Sequence, residues 1–284
     1  MKLLVECCQK QDLYLDLVDG IILPLENFSV ESVTFFSLEE IRRISQEKKC
    51  DVFVKLNKNF MNEEIDLLKE VLLKLQELKI AGIFFYDLAV LQLKQELKLE
   101  IPLIWNQTHM VNNYKTCNYY FSKGVKYVLL GKEITLDEIS EILEKATGEV
   151  MIEVVSKPSV AFSKRSLVTN YFKDLGKLGP KEILVREKVT NEKYQLVETS
   201  SGTSFFKDSI MNGTGIIKDL YDWKASFIIM REYGIESFKE LIKDTKEYIT
   251  DSCRNLEYVE KYKKLGDDTN FFFKKTIYKV KKNG

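Results

Sequence analysis

Asp51-Val-Phe-Val-Lys-Leu-Asn57, a periodic segment over 63–79, and Ala81-Gly-Ile-Phe-Phe-Tyr-Asp87 form one strand–helix–strand unit. The two outer runs are short, apolar and β-branched or aromatic, as buried strands are. Between them Ile65, Leu68, Val71, Leu72 and Leu75 recur at helical spacing on one face. The unit repeats in both directions. Leu3-Leu-Val-Glu-Cys-Cys8 and Gly20-Ile-Ile-Leu-Pro-Leu25 read as strands, with a helix from Ser37 before the third strand. Pro102-Leu-Ile-Trp-Asn-Gln107, Gly124-Val-Lys-Tyr-Val-Leu-Leu130 and Val150-Met-Ile-Glu-Val-Val155 continue the series. Helices are predicted over 88–97, 111–123 and 135–145. Ser37 with Glu40, and Thr135 with Glu138, have the spacing of a capping box.

Strand–helix alternation implies parallel strands joined by right-handed crossovers. Seven such strands suit a closed barrel, and Lys224-Ala-Ser-Phe-Ile-Ile-Met230 supplies an eighth before a helix over 237–248. The expected fold is a TIM-barrel-like parallel (β/α) barrel forming one domain over 1–284. Its parts are seven strand–helix units (1–155), an insert between strands seven and eight (156–222), and a last strand, helix and C-terminal strand or arm (223–284). The insert breaks the alternation. It carries Lys157, Phe162, Lys164, Arg165, Tyr171, Phe172, Arg186, Phe205 and Phe206. Basic and aromatic groups together can grip a phosphate backbone and stack a base, or pack the insert onto the barrel.

The 43 basic and 43 acidic residues cancel, unlike a domain built to coat nucleic acid. No apolar run reaches the ~18 residues of a membrane span, and no signal segment is read at the start. A cytoplasmic protein without membrane association is expected. The five cysteines are Cys7, Cys8, Cys50, Cys117 and Cys253. Their odd number and wide spacing give neither a disulfide framework nor a metal pattern. At least one of Cys7 and Cys8 is expected to be buried.

Chemistry on such barrels sits at the C-terminal ends of the strands. Those ends read Glu6, Glu26, Asn57, Asp87, Asn106, Gln107, His109, Glu133, Glu153 and Arg231-Glu232. Each could instead cap a helix or face solvent. His109, the only histidine, cannot build a multi-histidine metal site but has the chemistry of a base. Ser163 has no Gly-x-Ser-x-Gly around it. No phosphate loop, His-Glu-x-x-His helix or dinucleotide fingerprint is present. Glu153, Asp87 and His109 are the catalytic candidates, and no metal site is expected.

A series of segments extends this reading: Phe28-Ser-Val30, Phe36-Ser-Leu-Glu-Glu40, Val54-Lys-Leu-Asn57, Asp87-Leu-Ala-Val-Leu91 and Gly131-Lys-Glu-Ile-Thr-Leu-Asp-Glu-Ile139. Ser163-Lys-Arg-Ser-Leu-Val-Thr-Asn-Tyr171, Arg186-Glu187, Gly202-Thr203 and Phe273-Lys-Lys-Thr-Ile-Tyr-Lys-Val-Lys281 follow. In this order and spacing the chain resembles peptidase family U-32, the collagenase-like peptidases. The resemblance implies a barrel whose signature begins at a Glu, matched by Glu153. With the strand-end residues Asn57, Asn106 and Glu133, the matched Arg165, Asn170, Tyr171, Arg186 and Glu187 are the expected substrate or partner contacts. Many members carry signature cysteines similar to the ligands of a four-iron cluster. Here Ser166 stands where the second would be, and no cysteine lies between 118 and 252, so no cofactor is expected.

Some members of that family are described as collagenases or proteases. Others belong to tRNA- or quinone-hydroxylation machinery, often as unlike pairs. The resemblance thus implies a cluster-free subunit or accessory protein in tRNA hydroxylation, paired with a longer paralogue. A peptidase acting on peptides, or an inactive scaffold, are the alternatives. No protease constellation is visible to support direct proteolysis.

Overall fold

The computed structural model describes residues 1–107, 111–266, 268–269 and 271–274. Eight parallel strands close into a barrel: β1 (Lys2–Glu6), β2 (Gly20–Pro24), β3 (Asp51–Leu56), β4 (Gly82–Phe85), β5 (Leu103–Trp105), β6 (Tyr127–Leu129), β7 (Glu149–Ser156) and, after the insert, a final strand at Phe227–Arg231. Each pairs in parallel with its neighbour, β6 with β7, and the final strand bridges β7 and β1. The helices around it are α1 (Leu38–Glu47), α2 (Ile65–Glu77), α3 (Leu88–Glu96), α4 (Tyr114–Ser122) and α5 (Leu136–Lys145). Ser37 and Thr135 form the two capping boxes, each hydroxyl accepting from the N3 amide while the N3 glutamate accepts from the cap amide.

The insert is a second, antiparallel sheet. β8 (Ser159–Ser163) leads to α6 (Leu167–Asp174), and then come β9 (Glu182–Arg186), β10 (Lys193–Thr199) and β11 (Gly202–Lys207), in the order β8-β11-β10-β9. Gly202 turns the chain from β10 to β11 at φ +136°, where a Cβ would lie 2.1 Å from the Ser163 carbonyl oxygen. The sheet ends at Lys207. The rest of the stretch to 222 returns to the barrel as β12 (Met211–Asn212), antiparallel to β7, and α7 (Ile217–Asp222). Six residues are too few to show helical periodicity in sequence, though Ile217 and Leu220 are both fully buried. The final barrel strand is β13. It is followed by α8 (Phe238–Thr250) and α9 (Leu256–Tyr262), the latter not foreseen. Residues 271–274 form a turn that buries Phe272, and the predicted C-terminal strand or arm beyond 274 lies outside the described residues.

Two apolar layers hold the barrel. One lies between strands and helices. The other fills the interior with Leu4, Ile22, Phe53, Phe84, Ile104, Leu129, Met151, Phe227 and Ile229. Phe53 meets Phe84 and Phe227 edge-on at 6.0 and 6.4 Å. Inward positions alternate along a strand. The next inward step toward the C-terminal mouth therefore falls on Glu6, Pro24, Lys55, Tyr86, Asn106, Gly131, Glu153 and Arg231, six of the eight bearing polar groups. Fold and interior packing thus deliver a ring of polar groups to the mouth.

Candidate functional site at the barrel mouth

Four of those side chains form one buried charge network. Arg231 donates from Nη1 to Glu6 Oε2 at 2.6 Å and from Nε to Glu153 Oε2 at 2.8 Å. Lys55 Nζ lies 3.4 Å from Glu6 Oε2 and donates to Ser32 Oγ at 2.8 Å and to the Glu31 carbonyl at 3.2 Å. Ser32 donates to Glu6 Oε1 at 2.7 Å. Lys132, on the loop after β6, places Nζ 2.7 Å from Glu153 Oε1. The parallel register of β13 and β7 slips after Ile229↔Glu153, so that Met230 faces Val155. Such an irregularity re-aims side chains at a strand end, and this one falls where Glu153 meets Arg231.

Burial alone would raise the Glu153 carboxyl, but Arg231 and then Lys132 overcome it and hold the group at about 2. Glu6 is also lowered, Arg231 and Lys55 outweighing burial. Burial pushes the Lys55 ammonium down to about 8 against the pull of Glu6. A carboxylate held at about 2 makes a poor proton acceptor near neutrality. The two carboxylates therefore order the mouth and are unsuited to serve as general bases. Beside it, Glu232 accepts from the Cys8 amide at 2.6 Å and from Tyr14 Oη at 2.6 Å.

The insert roofs this mouth. Lys157 Nζ lies over the Tyr233 ring, 5.4 Å from its centroid, the Glu31 amide donates to Ser204 Oγ at 3.2 Å, and Lys164 Nζ donates to the Asn59 carbonyl at 3.1 Å. Phe206 packs on Tyr233 with ring centroids 5.1 Å apart. Between roof and mouth remains an open cavity of about 500 Å³. It is lined by the 30–31 and 57–59 loops, Tyr86, Ala161, Phe162 and Lys164. Lys164, Tyr86 and Phe162 line it together with Lys58, whose ammonium pairs with Glu64 at 2.5 Å.

The predicted site residues divide by location. Glu153 joins the charge network. Asn57 is buried and accepts from the Val30 amide at 3.0 Å, at the edge of the cavity. Asn106 is buried at the mouth, and its Oδ1 has no hydrogen-bond partner among the described residues. Asp87 takes the helix-capping alternative: it caps α3 by accepting from the Ala89 amide and also accepts from the Phe60 amide. Glu133 follows β6, next to Lys132. His109 lies outside the described residues. Arg165, Asn170 and Tyr171 are exposed on α6 and the turn before it. Arg186 and Glu187 lie elsewhere. The register runs Ser163↔Thr203↔Glu198 at one end of the insert sheet and Arg186↔Lys193 at the other. Arg165 and Arg186 are thus separated by the length of the sheet, about 15 Å. Glu187 accepts from the Val189 and Thr190 amides and closes the β9–β10 turn, bonds that hold its carboxyl at about 2.

Lys55 and Lys132 escaped the sequence reading. The signal for Lys55 was a lysine inside an apolar strand, two residues beyond the inward Phe53. Cys7 is buried, as expected of that pair. The donor set for a four-iron cluster is not assembled: all five cysteines are free and dispersed, and Ser166 is an exposed hydroxyl before α6. Among the described residues, no three His, Cys, Asp or Glu side chains gather in a metal-binding group, and no helix is long and apolar enough to cross a membrane.

An (β/α)8 barrel roofed by an insert that carries the signature region, with a charged mouth starting from Glu153, defines the class. Peptidase family U32 matches residues 11–181, and the chain belongs to that family. It is 30% identical over 278 residues to tRNA hydroxylation protein P2 of Bacillus subtilis (strain 168), covering 86% of this chain and 87% of that one. It is 23% identical over 152 residues to tRNA hydroxylation protein P1 of the same organism, covering 54% of this chain and 35% of P1. Phosphoribosyl anthranilate isomerase from Thermus thermophilus shares the fold, with a TM-score of 0.50 at 10% identity, covering 88% of this chain and 99% of that structure.

Proposed function

We propose that this chain is a cluster-free subunit in tRNA hydroxylation, working with a longer U32 paralogue. The observation that carries this is the 30% identity to P2 along nearly the whole of both chains. P1 and P2 supply the pattern of a pair, since 152 matched residues make up only 35% of P1. The absence of a clustered cysteine set supports a reading in which any iron cluster sits on the longer partner.

In this reading the cavity under the insert receives a nucleotide of the tRNA. Lys164 and the exposed Arg165 contact phosphates, and Tyr86 and Phe162 stack a base. Asn57 and Asn106 read polar edges, and Asn170 and Tyr171 extend the contact along α6. The network of Glu6, Lys55, Glu153 and Arg231 holds the floor in place. Peptide hydrolysis draws no support from the mouth, where the buried carboxylates are committed to cations.

Anaerobic affinity capture from native cytoplasm, with protein and RNA identified together, tests the proposal. A coloured longer paralogue or bound tRNA in the eluate supports it. A colourless chain with neither overturns it.

A further inference from the structure

We infer that the outer edge of β9 is a self-complementary docking strand for a second copy of this chain. The inference does not rest on the tRNA reading, which concerns an unlike partner and the opposite end of the insert sheet.

Among the described residues β9 pairs with β10 alone. The hydrogen-bonding phase follows from its two flanks: the Glu187 amide donates to the Glu192 carbonyl at 2.8 Å, and the Glu198 amide to the Lys181 carbonyl at 2.8 Å. Alternation then turns Ile183 and Val185 toward β10, and turns the N–H and C=O groups of Glu182, Leu184 and Arg186 outward. An edge of this kind is a template for another strand, which proteins usually blunt.

The residues on this edge select the occupant. In the run Lys181-Glu-Ile-Leu-Val-Arg-Glu187, the charged residues equidistant from Leu184 carry opposite charges. An antiparallel copy centred on Leu184 sets Leu184 against Leu184, and Ile183 against Val185. The same register sets Glu182, which accepts from Tyr233 Oη at 2.8 Å within the chain, against Arg186 twice, whereas Lys181 and Glu187, which also fall opposite one another, are held within the chain by Glu198 and by the Val189 and Thr190 amides. Outward-facing residues meet outward-facing residues, so the ladder closes in that register. A shift of the centre to Ile183 would set Glu182 against Leu184 and lose every charge pair. Leu184 is 53% exposed, an apolar side chain at the centre of the strand with no cover. Arg186 is exposed and has no ionic partner among the described residues. Cross-strand pairs of opposite charge stabilise a ladder, and like charges directly opposite destabilise it. Pairing would extend two four-stranded sheets into one of eight strands across a two-fold axis.

The test is sedimentation velocity of the full chain over a concentration series, alone and with charge-swapped variants. The wild type is expected to dimerise, and Arg186→Glu and Glu182→Arg each to weaken the dimer about tenfold or more. Mixing the two variants is expected to restore dimers, because every facing pair is again opposite in charge. Leu184→Pro is expected to abolish the dimer while the chain stays folded, because the lost N–H faces away from β10. A wild-type chain that stays monomeric, including one that binds only a longer paralogue at this edge, would overturn the inference. So would a dimer indifferent to the substitutions, or failure of the mixture to recover.

Discussion

Arg231 and Glu153 close the barrel electrostatically where β13 meets β7: Nε donates to Oε2 at 2.8 Å, beside the register slip in that seam. The same guanidinium reaches Glu6 on β1. One planar, two-sided donor therefore ties three adjacent strands at the mouth, a geometry that lysine cannot reproduce.

Removing that donor leaves two carboxylates buried with less compensation. Arg231→Met is expected to lower stability by about 3–5 kcal/mol, the usual cost of breaking a buried ion pair from one side. Arg231→Lys is expected to recover only part of it. Urea unfolding at neutral pH checks both, and an Arg231→Met loss below about 1 kcal/mol would mean that the network is solvated.

The network also sets an acid limit. Glu153 is held at about 2, against 4.5 for an ordinary glutamate. The unfolded chain therefore binds a proton at higher pH than the folded chain, and stability falls as pH drops. The contribution is complete above pH 4.5, is lost progressively down to about 2, and is worth on the order of 3 kcal/mol. Glu153→Gln removes this titration. The variant should be less stable at neutral pH, and its stability should fall less steeply across that window in urea titrations. An unchanged slope would place the proton uptake elsewhere.

The half-buried Cys8 thiol is pushed up to about 12, by burial first and by Glu232 next. Its thiolate fraction at pH 8 is then very small, so alkylation by iodoacetamide should be far slower than for a free thiol. Glu232→Gln removes the nearby negative charge and should speed Cys8 modification, read by peptide mass spectrometry. Equal rates in the two proteins would contradict the electrostatic cause.

If the cavity holds a nucleotide, Phe162→Ala should weaken tRNA binding by about tenfold, the scale of one lost base stack. Lys164→Ala should weaken it and reduce the salt slope by about one. Filter binding at several salt concentrations separates the two effects. Wild-type affinity in both variants would remove the cavity from the RNA surface.

Much of the fold was legible because the barrel repeats one signal. Apolar strands of three to eight residues alternate with helices, two of which open on a capping box, at Ser37 and Thr135. The mouth was legible only in part. Glu6, Glu153 and Arg231 stand at strand ends, but nothing in their types says that they touch one another. Contact between them depends on barrel closure, a long-range property. Asp87 stood at an equivalent strand end and became a helix cap, because the next residue opens α3. Arg165 and Arg186 looked alike in composition, yet the antiparallel register carries them to opposite ends of the insert. Lys55 was hidden by its surroundings, since a lysine in an apolar strand resembles a solvated edge until the strand is seen to be central.

The most direct measurement is the hydroxylated-nucleoside content of tRNA, by mass spectrometry, from cells of the source organism with this chain deleted, restored, or replaced by Phe162→Ala/Lys164→Glu. Loss on deletion, recovery on restoration and failure of the double variant, with the paralogue still present, are the results expected of a cluster-free tRNA hydroxylation subunit. Unchanged hydroxylation on deletion would contradict that assignment.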